Sequence, residues 1–210
     1  MIEVQSNDTG RHVKRVSEYT KILCTALNMS EEEIWKVSNA AALHDVGKIM
    51  VPQEIINKPG KLTDEEFDIV KTHVQYGKKL LEKSSGELMK LSSIIAYHHH
   101  EKYDGTGYTE GRKGEDIPLL ARIICVADSY DAMASKRCYR ADLPEDYILS
   151  ELEKCSGTQF DPEIAKVMIG MINDGYVETV KETVDKEKAD DEGERILQPA
   201  HGSKTCDNYR

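Results

Sequence analysis

The sequence has no CxxC pair among its five cysteines, no excess of basic residues and no apolar run approaching the roughly 18 residues of a membrane span. Cysteines that are odd in number and scattered (Cys24, Cys125, Cys138, Cys155, Cys206) exclude a disulfide framework and a thiolate zinc knuckle. Lys and Arg number 28 against 38 Asp and Glu, for a net charge of −10. That balance excludes a diffuse cationic surface for nucleic acid or acidic membrane, because phosphate affinity comes from clustered cations. The opening MIEVQSNDTG lacks both the basic and the apolar region of a secretory signal, so a reducing cytoplasm is the expected location. Strand-like alternation is nearly absent, and there is neither an internal repeat nor a low-complexity tract.

What is present is helical periodicity. At 210 residues the chain is long enough for one domain with a sizeable core. Through most of the first 175 residues apolar positions recur at steps of three and four, which predicts an all-α, single-domain helical bundle. Val16, Tyr19, Leu23 and Leu27 form one stripe over residues 12–27, with His12 on its extension. Ser30 with Glu33 and Thr63 with Glu66 read as capping boxes. The first opens a helix whose face runs Ile34, Val37, Ala41, His44; the second opens one with Phe67, Val70, Val74 and Leu81 inward and His73 beside them. Further helices are expected over 87–98, over 117–135 with Asp116 as N-cap and Pro118 in the first turn, over 145–155, and over 162–173. Residues 46–62 and 101–115 read as long connections. The domain is expected over 8–175, and 176–210 as a charged tail off the core, because Glu178–Arg195 carries eight acidic and four basic residues and no aromatic.

Six of the seven histidines fall on or at the ends of these helices: His12, His44 next to Asp45, His73, and the run His98-His99-His100 before Glu101. Asp128 closes the apolar stretch Ile123-Ile124-Cys125-Val126-Ala127, with Leu120 and Ile124 placing it on the buried face. Burying these imidazoles and carboxylates uncompensated costs roughly 2–7 kcal/mol each by transfer estimates, whereas divalent cations satisfy all of them. Adjacent His44 and Asp45 can address one point, and a carboxylate has two oxygens with which to bridge two ions. Three consecutive helical residues point about 100° apart, so at most two of His98, His99 and His100 can ligate. His and Asp donors suit Fe, Mn, Zn, Ni or Co without choosing among them. Two divalent ions, two aspartates and a hydroxide leave about +1 at such a site, so an acidic chain can still hold a local trap for phosphate.

The blocks HDVGK (44–48), KPGKLTDEE (58–66) with HVQYG (73–77), HHEKYDGTGY (99–108) and VADSYDAMASKRCYR (126–140) together resemble the HD-GYP branch of the HD superfamily of metal-dependent phosphohydrolases. Characterised members are bacterial phosphodiesterases of the second messenger cyclic di-GMP, and the resemblance covers about residues 8–173. It implies a bundle with two divalent metals in its core, Fe or Mn. His12, His44, Asp45 and Asp128 match the ligands of one metal, with Asp45 bridging; His73, His99 and His100 match those of the other. Lys48 matches a charge stabiliser or proton donor at the reacting phosphate, and Tyr108, Arg137 and Arg140 match substrate contacts; the fork of an arginine suits phosphate oxygens. Asp8, four residues before His12, stands where some members carry a third-metal ligand. The implied reaction is hydrolysis of cyclic di-GMP to pGpG, and on to GMP, through attack of a metal-bridging hydroxide on phosphorus.

Two departures stand out. Thr109 replaces the proline of GYP and Cys138 another proline, and both predict a less constrained loop. Eleven residues precede His12, which reads as a freestanding module or a fragment of something longer. The alternatives left open are a non-catalytic cyclic di-GMP-binding signalling module, a phosphohydrolase acting on hybrid cyclic GMP-AMP or on a nucleotide, and a diiron oxygenase. A sensory or diguanylate cyclase partner and a homodimer are left open as partners.

Overall fold

The structure is a computed structural model and describes residues 9–135, 143–184 and 186. Nine α-helices are assigned within them: α1 (Thr9–Ala26), α2 (Glu31–Ala41), α3 (Gln53–Ile56), α4 (Asp64–Lys71), α5 (His73–Leu81), α6 (Glu87–His98), α7 (Leu119–Ala134), α8 (Glu145–Cys155) and α9 (Pro162–Asn173). The fold is all-α as expected. Among the described residues the one β-type pairing is an isolated bridge between Ser156 and Phe160.

α7 is the axis of the bundle. Twelve of its sixteen residues are buried, so a polar side chain on this helix is carried inside whichever way it points. Its Ile123, Val126, Ala127 and Tyr130 pack with Val16, Tyr19 and Leu23 of α1 and with Ile164, Ala165 and Met168 of α9. On the other side Ile124 meets Ala40 and Ala41 of α2 and Ile95 of α6, where the alanines let helices approach closely. Each fully buried Leu, Ile or Met contributes about 1.5–3 kcal/mol, which offsets the cost of the polar groups that the same helices bring inside.

Both capping boxes form. Ser30 N donates to Glu33 Oε2 at 2.9 Å and Glu33 N to Ser30 Oγ at 3.3 Å; Thr63 N donates to Glu66 Oε2 at 2.8 Å and Glu66 N to Thr63 Oγ1 at 3.2 Å. The Asp161 carboxylate caps α9 by accepting from Glu163 N at 2.9 Å.

Four expectations are corrected. The single helix read from residue 63 to 81 is two helices, because Thr72 Oγ1 donates to Ile69 O at 2.6 Å and His73 Nδ1 meets Val70 O at 2.7 Å. These side chains take carbonyls that the helix would otherwise use, and a new helix begins at His73. Asp116 is not an N-cap: it ends a short 3-10 turn (Gly114–Asp116), and α7 starts after Pro118, which holds the cap position. The connection 46–62 is not featureless, since it holds a 3-10 turn (Val46–Met50) and α3. Finally, helical chain continues over 176–184, where Val177 and Val184 are buried and Val177 joins the main core. Packing therefore runs past 175, and charged residues on the outer side of that segment masked its two inward valines.

The turn that carries Asp45 and Lys48 is pressed against α5 through Gly47. A Cβ there would stand 1.9 Å from His73 O and 2.5 Å from Gly77 N, both backbone atoms that cannot move aside alone. Gly47→Ala is accordingly expected to lose about 3 kcal/mol or more, about 6–12 °C in Tm for a domain of this size. Thermal unfolding checks it, and a Tm within about 2 °C of the parent would contradict the close approach.

Candidate metal centre

Five imidazoles and two carboxylates converge in the bundle core from α1, the turn after α2, the start of α5, the end of α6, and α7. They form two groups, Asp45 with His73, His99 and His100, and His12 with His44 and Asp128; within each, the donor atoms lie within 4.8 Å of one another.

The rings are aimed by their second nitrogens. His44 Nδ1 lies 2.8 Å from Ala41 O, His73 Nδ1 2.7 Å from Val70 O, and His99 Nδ1 3.2 Å from Ile95 O. A carbonyl can only accept, so the proton of each neutral ring resides on Nδ1 and the Nε2 lone pair turns inward, the tautomer a metal requires. α6 stops at His98, and the turn that follows points His99 and His100 inward together. His98 stays outside both groups, with Nδ1 3.8 Å from Glu101 and its ring against Tyr97.

Asp45 stands between the groups. Its Oδ1 is 3.3 Å from His73 Nε2 and 3.8 Å from His99 Nε2, while Oδ2 is 3.2 Å from His44 Nε2. Asp128 Oδ1 is 3.4 Å from His12 Nε2 and 3.9 Å from His44 Nε2. Two ligands each about 2.1 Å from one ion stand about 3.0–3.4 Å apart at about 90–109°; the 3.2, 3.3 and 3.4 Å spacings suit a cation between them, and the 3.8 and 3.9 Å ones are wider. Among the described residues, His99 Nε2 and Asp45 Oδ1 are buried and have no hydrogen-bond partner, the condition a cation would relieve. The donor set and its geometry fit divalent metal.

Electrostatics prepare the same state. Burial opposes the charge of Asp45, but the Lys48 ammonium and the His44 ring hold its carboxyl well below the usual carboxylate range. Burial, then the neighbouring His100 and His44 rings, push His99 well below the usual imidazole value. An ionised carboxylate beside neutral imidazoles is the form that ligates.

Two carboxylates that the sequence reading missed brace the centre. Asp131, one turn beyond Asp128 on α7, accepts from Arg15 Nε at 2.6 Å and meets His12 Nδ1 at 2.8 Å. Burial works against its charge, yet the bonds from His12 and Arg15 outweigh it and keep its pKa below the ordinary value. The i, i+3 spacings of Asp128 and Asp131, and of His12 and Arg15, were the available signal. Glu101, also buried, accepts from the backbone N–H of Glu110 at 2.7 Å, Arg112 at 3.2 Å and Thr109 at 3.3 Å, and so ties down the loop that carries Tyr108. Thr109 adds a hydroxyl bond to Tyr97 O at 2.6 Å. The expected slackening is therefore corrected at this position: threonine supplies two bonds that proline has no N–H or hydroxyl to make.

The centre opens into a cleft of about 460 Å³ lined by Lys48, Phe67, His100, Tyr108, Ser129 and Gln159 among others. Lys48 Nζ donates to Asp45 Oδ2 at 2.6 Å, and the Tyr108 ring stacks on His100 with centroids 4.9 Å apart. Asp8, Arg137, Cys138 and Arg140 lie outside the described residues.

An all-helical bundle that turns histidines and aspartates from distant segments onto one buried centre defines a protein of the His/Asp metal-site class. Residues 1–164 match the HD domain family (HD_5), and the chain belongs to that family, as the HD-GYP resemblance implied. It is 39% identical over 168 residues to the 3'3'-cGAMP-specific phosphodiesterase 2 of Vibrio cholerae, covering 80% of this chain and 32% of that one. It is also 39% identical over 167 residues to a cyclic di-GMP phosphodiesterase of Thermotoga maritima, covering 80% and 45%. Among solved structures, an HDG"Y"P protein from Bdellovibrio bacteriovorus shares the fold at a TM-score of 0.62 and 19% identity, over 77% of this chain and 51% of that one. The chain thus spans a third to a half of the length of these curated relatives. No helix among the described residues is long and apolar enough to cross a membrane.

Proposed function

We propose that this chain is a metal-dependent phosphodiesterase that hydrolyses a cyclic dinucleotide, with cyclic di-GMP as substrate, linear pGpG as first product and GMP after a second round. The observation that carries the reading is Asp45 facing both ligand groups, whose members His73, His99, His100 and Asp128 line a cleft together with Lys48 and Tyr108. The names of the relatives support the substrate class. His12, His44, Asp45 and Asp128 would hold one cation and His73, His99 and His100, with Asp45 shared, the other; Fe or Mn suits these donors. Asp8 is the residue to test for a third. Cations held there supply positive charge to the phosphoryl oxygens and lower the pKa of water.

The chain's own groups do the rest. Asp45 orients Lys48, whose ammonium points to the cleft floor, where it offsets charge developing on the phosphate or delivers a proton to the departing 3'-oxygen. Tyr108, fixed by Glu101 through the loop backbone and by stacking on His100, forms one substrate-facing side. Arg137 and Arg140 are assigned to the phosphates on their chemistry.

The test is incubation of Fe- or Mn-loaded protein with cyclic di-GMP and with 3'3'-cGAMP, products being separated by chromatography. Turnover of neither sinks the reading. Binding without turnover would favour a signalling module, and oxygen consumption an oxygenase. Lys48→Met is expected to lower kcat about 100- to 1000-fold with both metals kept. Arg137→Ala should chiefly raise KM, and an unchanged KM would remove it from the substrate site.

A further inference from the structure

The cleft has a second wall that carries none of the seven converging donors. It is built by α8 and the turn leading to α9, with Ser129 of α7 beside it. Gln159 lines it from the turn, and its backbone is held on both sides: the N–H donates to Cys155 O at 3.0 Å, and the C=O accepts from Tyr103 N at 3.2 Å. Asp104 N also donates to Thr158 O at 2.8 Å, so this turn and the loop bearing Tyr108 are tied together across the cleft. The Gln159 side chain donates from Nε2 to Ser129 Oγ at 3.2 Å, its one side-chain hydrogen bond among the described residues.

An amide anchored by one N–H keeps a second N–H and a C=O side by side in one plane. That pair matches N7 and N6–H of adenine, and equally O6 and N1–H of guanine. A hydroxyl donates as readily as it accepts, so Ser129 can hold the amide in either of its two orientations. Met133 and Phe160 line the cleft as well and offer apolar surface to the face of a base. Glu151 of α8 lines the same wall; its Oε1 accepts from Lys154 Nζ at 3.1 Å, and the carboxylate has further lone pairs with which to accept from a base N–H. The wall thus offers an amide and apolar surface to a nucleobase.

Resting on the cyclic dinucleotide reading above, we infer that Gln159, braced by Ser129, reads the edge of one substrate base and, because its N–H and C=O pair matches a donor–acceptor edge on either purine, admits guanine and adenine alike. Gln159 is a specificity-determining residue on this account, and the chain acts on cyclic di-GMP and 3'3'-cGAMP with comparable efficiency.

The experiment measures kcat and KM for cyclic di-GMP, 3'3'-cGAMP and cyclic di-AMP with the metal-loaded chain, and Kd for each by calorimetry with metal-free chain. The parent should show kcat/KM for the first two within about tenfold of each other. Gln159→Ala should raise KM and Kd about tenfold, the size of one two-point base contact, with bound metal unchanged. Gln159→Glu, which can accept and not donate, should shift the preference about tenfold toward guanine, since a carboxylate accepts from both N1–H and N2–H of that base and can give nothing to N7 of adenine. Ser129→Ala should weaken binding of all three substrates by a similar factor, since it loosens the amide without changing the groups that meet the base. Unchanged base preference in Gln159→Glu, or a uniform loss on all three substrates that tracks loss of metal, would overturn the inference. If the parent binds without hydrolysing, the Kd series still decides the role of Gln159 while the hydrolytic reading alone falls.

Discussion

Asp45→Ala is expected to empty both metal positions together and abolish phosphodiester hydrolysis, a fall of about 1000-fold or more. The geometry behind this is the division of labour between its two oxygens, Oδ1 toward His73 and His99 and Oδ2 toward His44. Removing a ligand from one group alone, as in His12→Ala, should spare the other. Asp45→Ala also removes the carboxylate to which Lys48 Nζ donates at 2.6 Å. Elemental analysis of the purified variant is the direct readout. Thermal unfolding gives an independent one, because metal at a thousandfold excess over Kd stabilises the parent by about 4 kcal/mol and should leave the variant's Tm where it was. Two metals retained per chain would defeat the bridging role.

The second large effect is expected at a residue that faces neither cation. Asp131→Ala removes a buried carboxylate that accepts from Arg15 Nε at 2.6 Å, and Arg15 is itself only 4% exposed. Breaking such a buried pair costs about 3–5 kcal/mol, about 6–20 °C in Tm here. The His12 ring also loses the acceptor at its Nδ1, and losing such a partner typically weakens metal affinity about 10–100-fold. The two consequences can be separated. Replacing both charges, Arg15→Met with Asp131→Leu, should recover most of the stability, because apolar residues of similar volume fill such sites well. It should not recover metal affinity, because His12 still lacks its acceptor. Affinity restored together with stability would show that Asp131 acts only by holding the fold.

How much of this was readable beforehand follows the range over which each interaction acts. The capping boxes at Ser30 and Thr63 were legible because donor and acceptor are three residues apart. The break at Thr72 was not: it depends on side chains taking the carbonyls of Ile69 and Val70 in preference to the helix, and periodicity carries no trace of that competition. The seven donors that converge could be named because histidine and aspartate on apolar helical faces need a reason to be there, and their motifs matched a known order. Asp131 was not, since the i, i+3 spacing from Asp128 was its one sequence signal and in SYDAM it reads as an ordinary charge until α1 delivers Arg15 and His12 to it. Glu101 was likewise silent, and Thr109 was read as a loosening when it is a tie. Their bonds run to backbone groups that a loop brings round eight to twelve residues away.

From its linear order the chain determined an all-helical domain, its caps, and the set of donors whose burial demands a cation; all of these rest on local spacing or on the cost of burying polar groups. Only the tertiary structure decided that Asp45 stands between two groups, which carboxylates support them, that α5 begins at His73, and that Gln159 and Ser129 share a wall of the cleft. Those are relations between segments up to 119 residues apart, as between His12 and Asp131, and they arise from packing around α7, which no local pattern encodes.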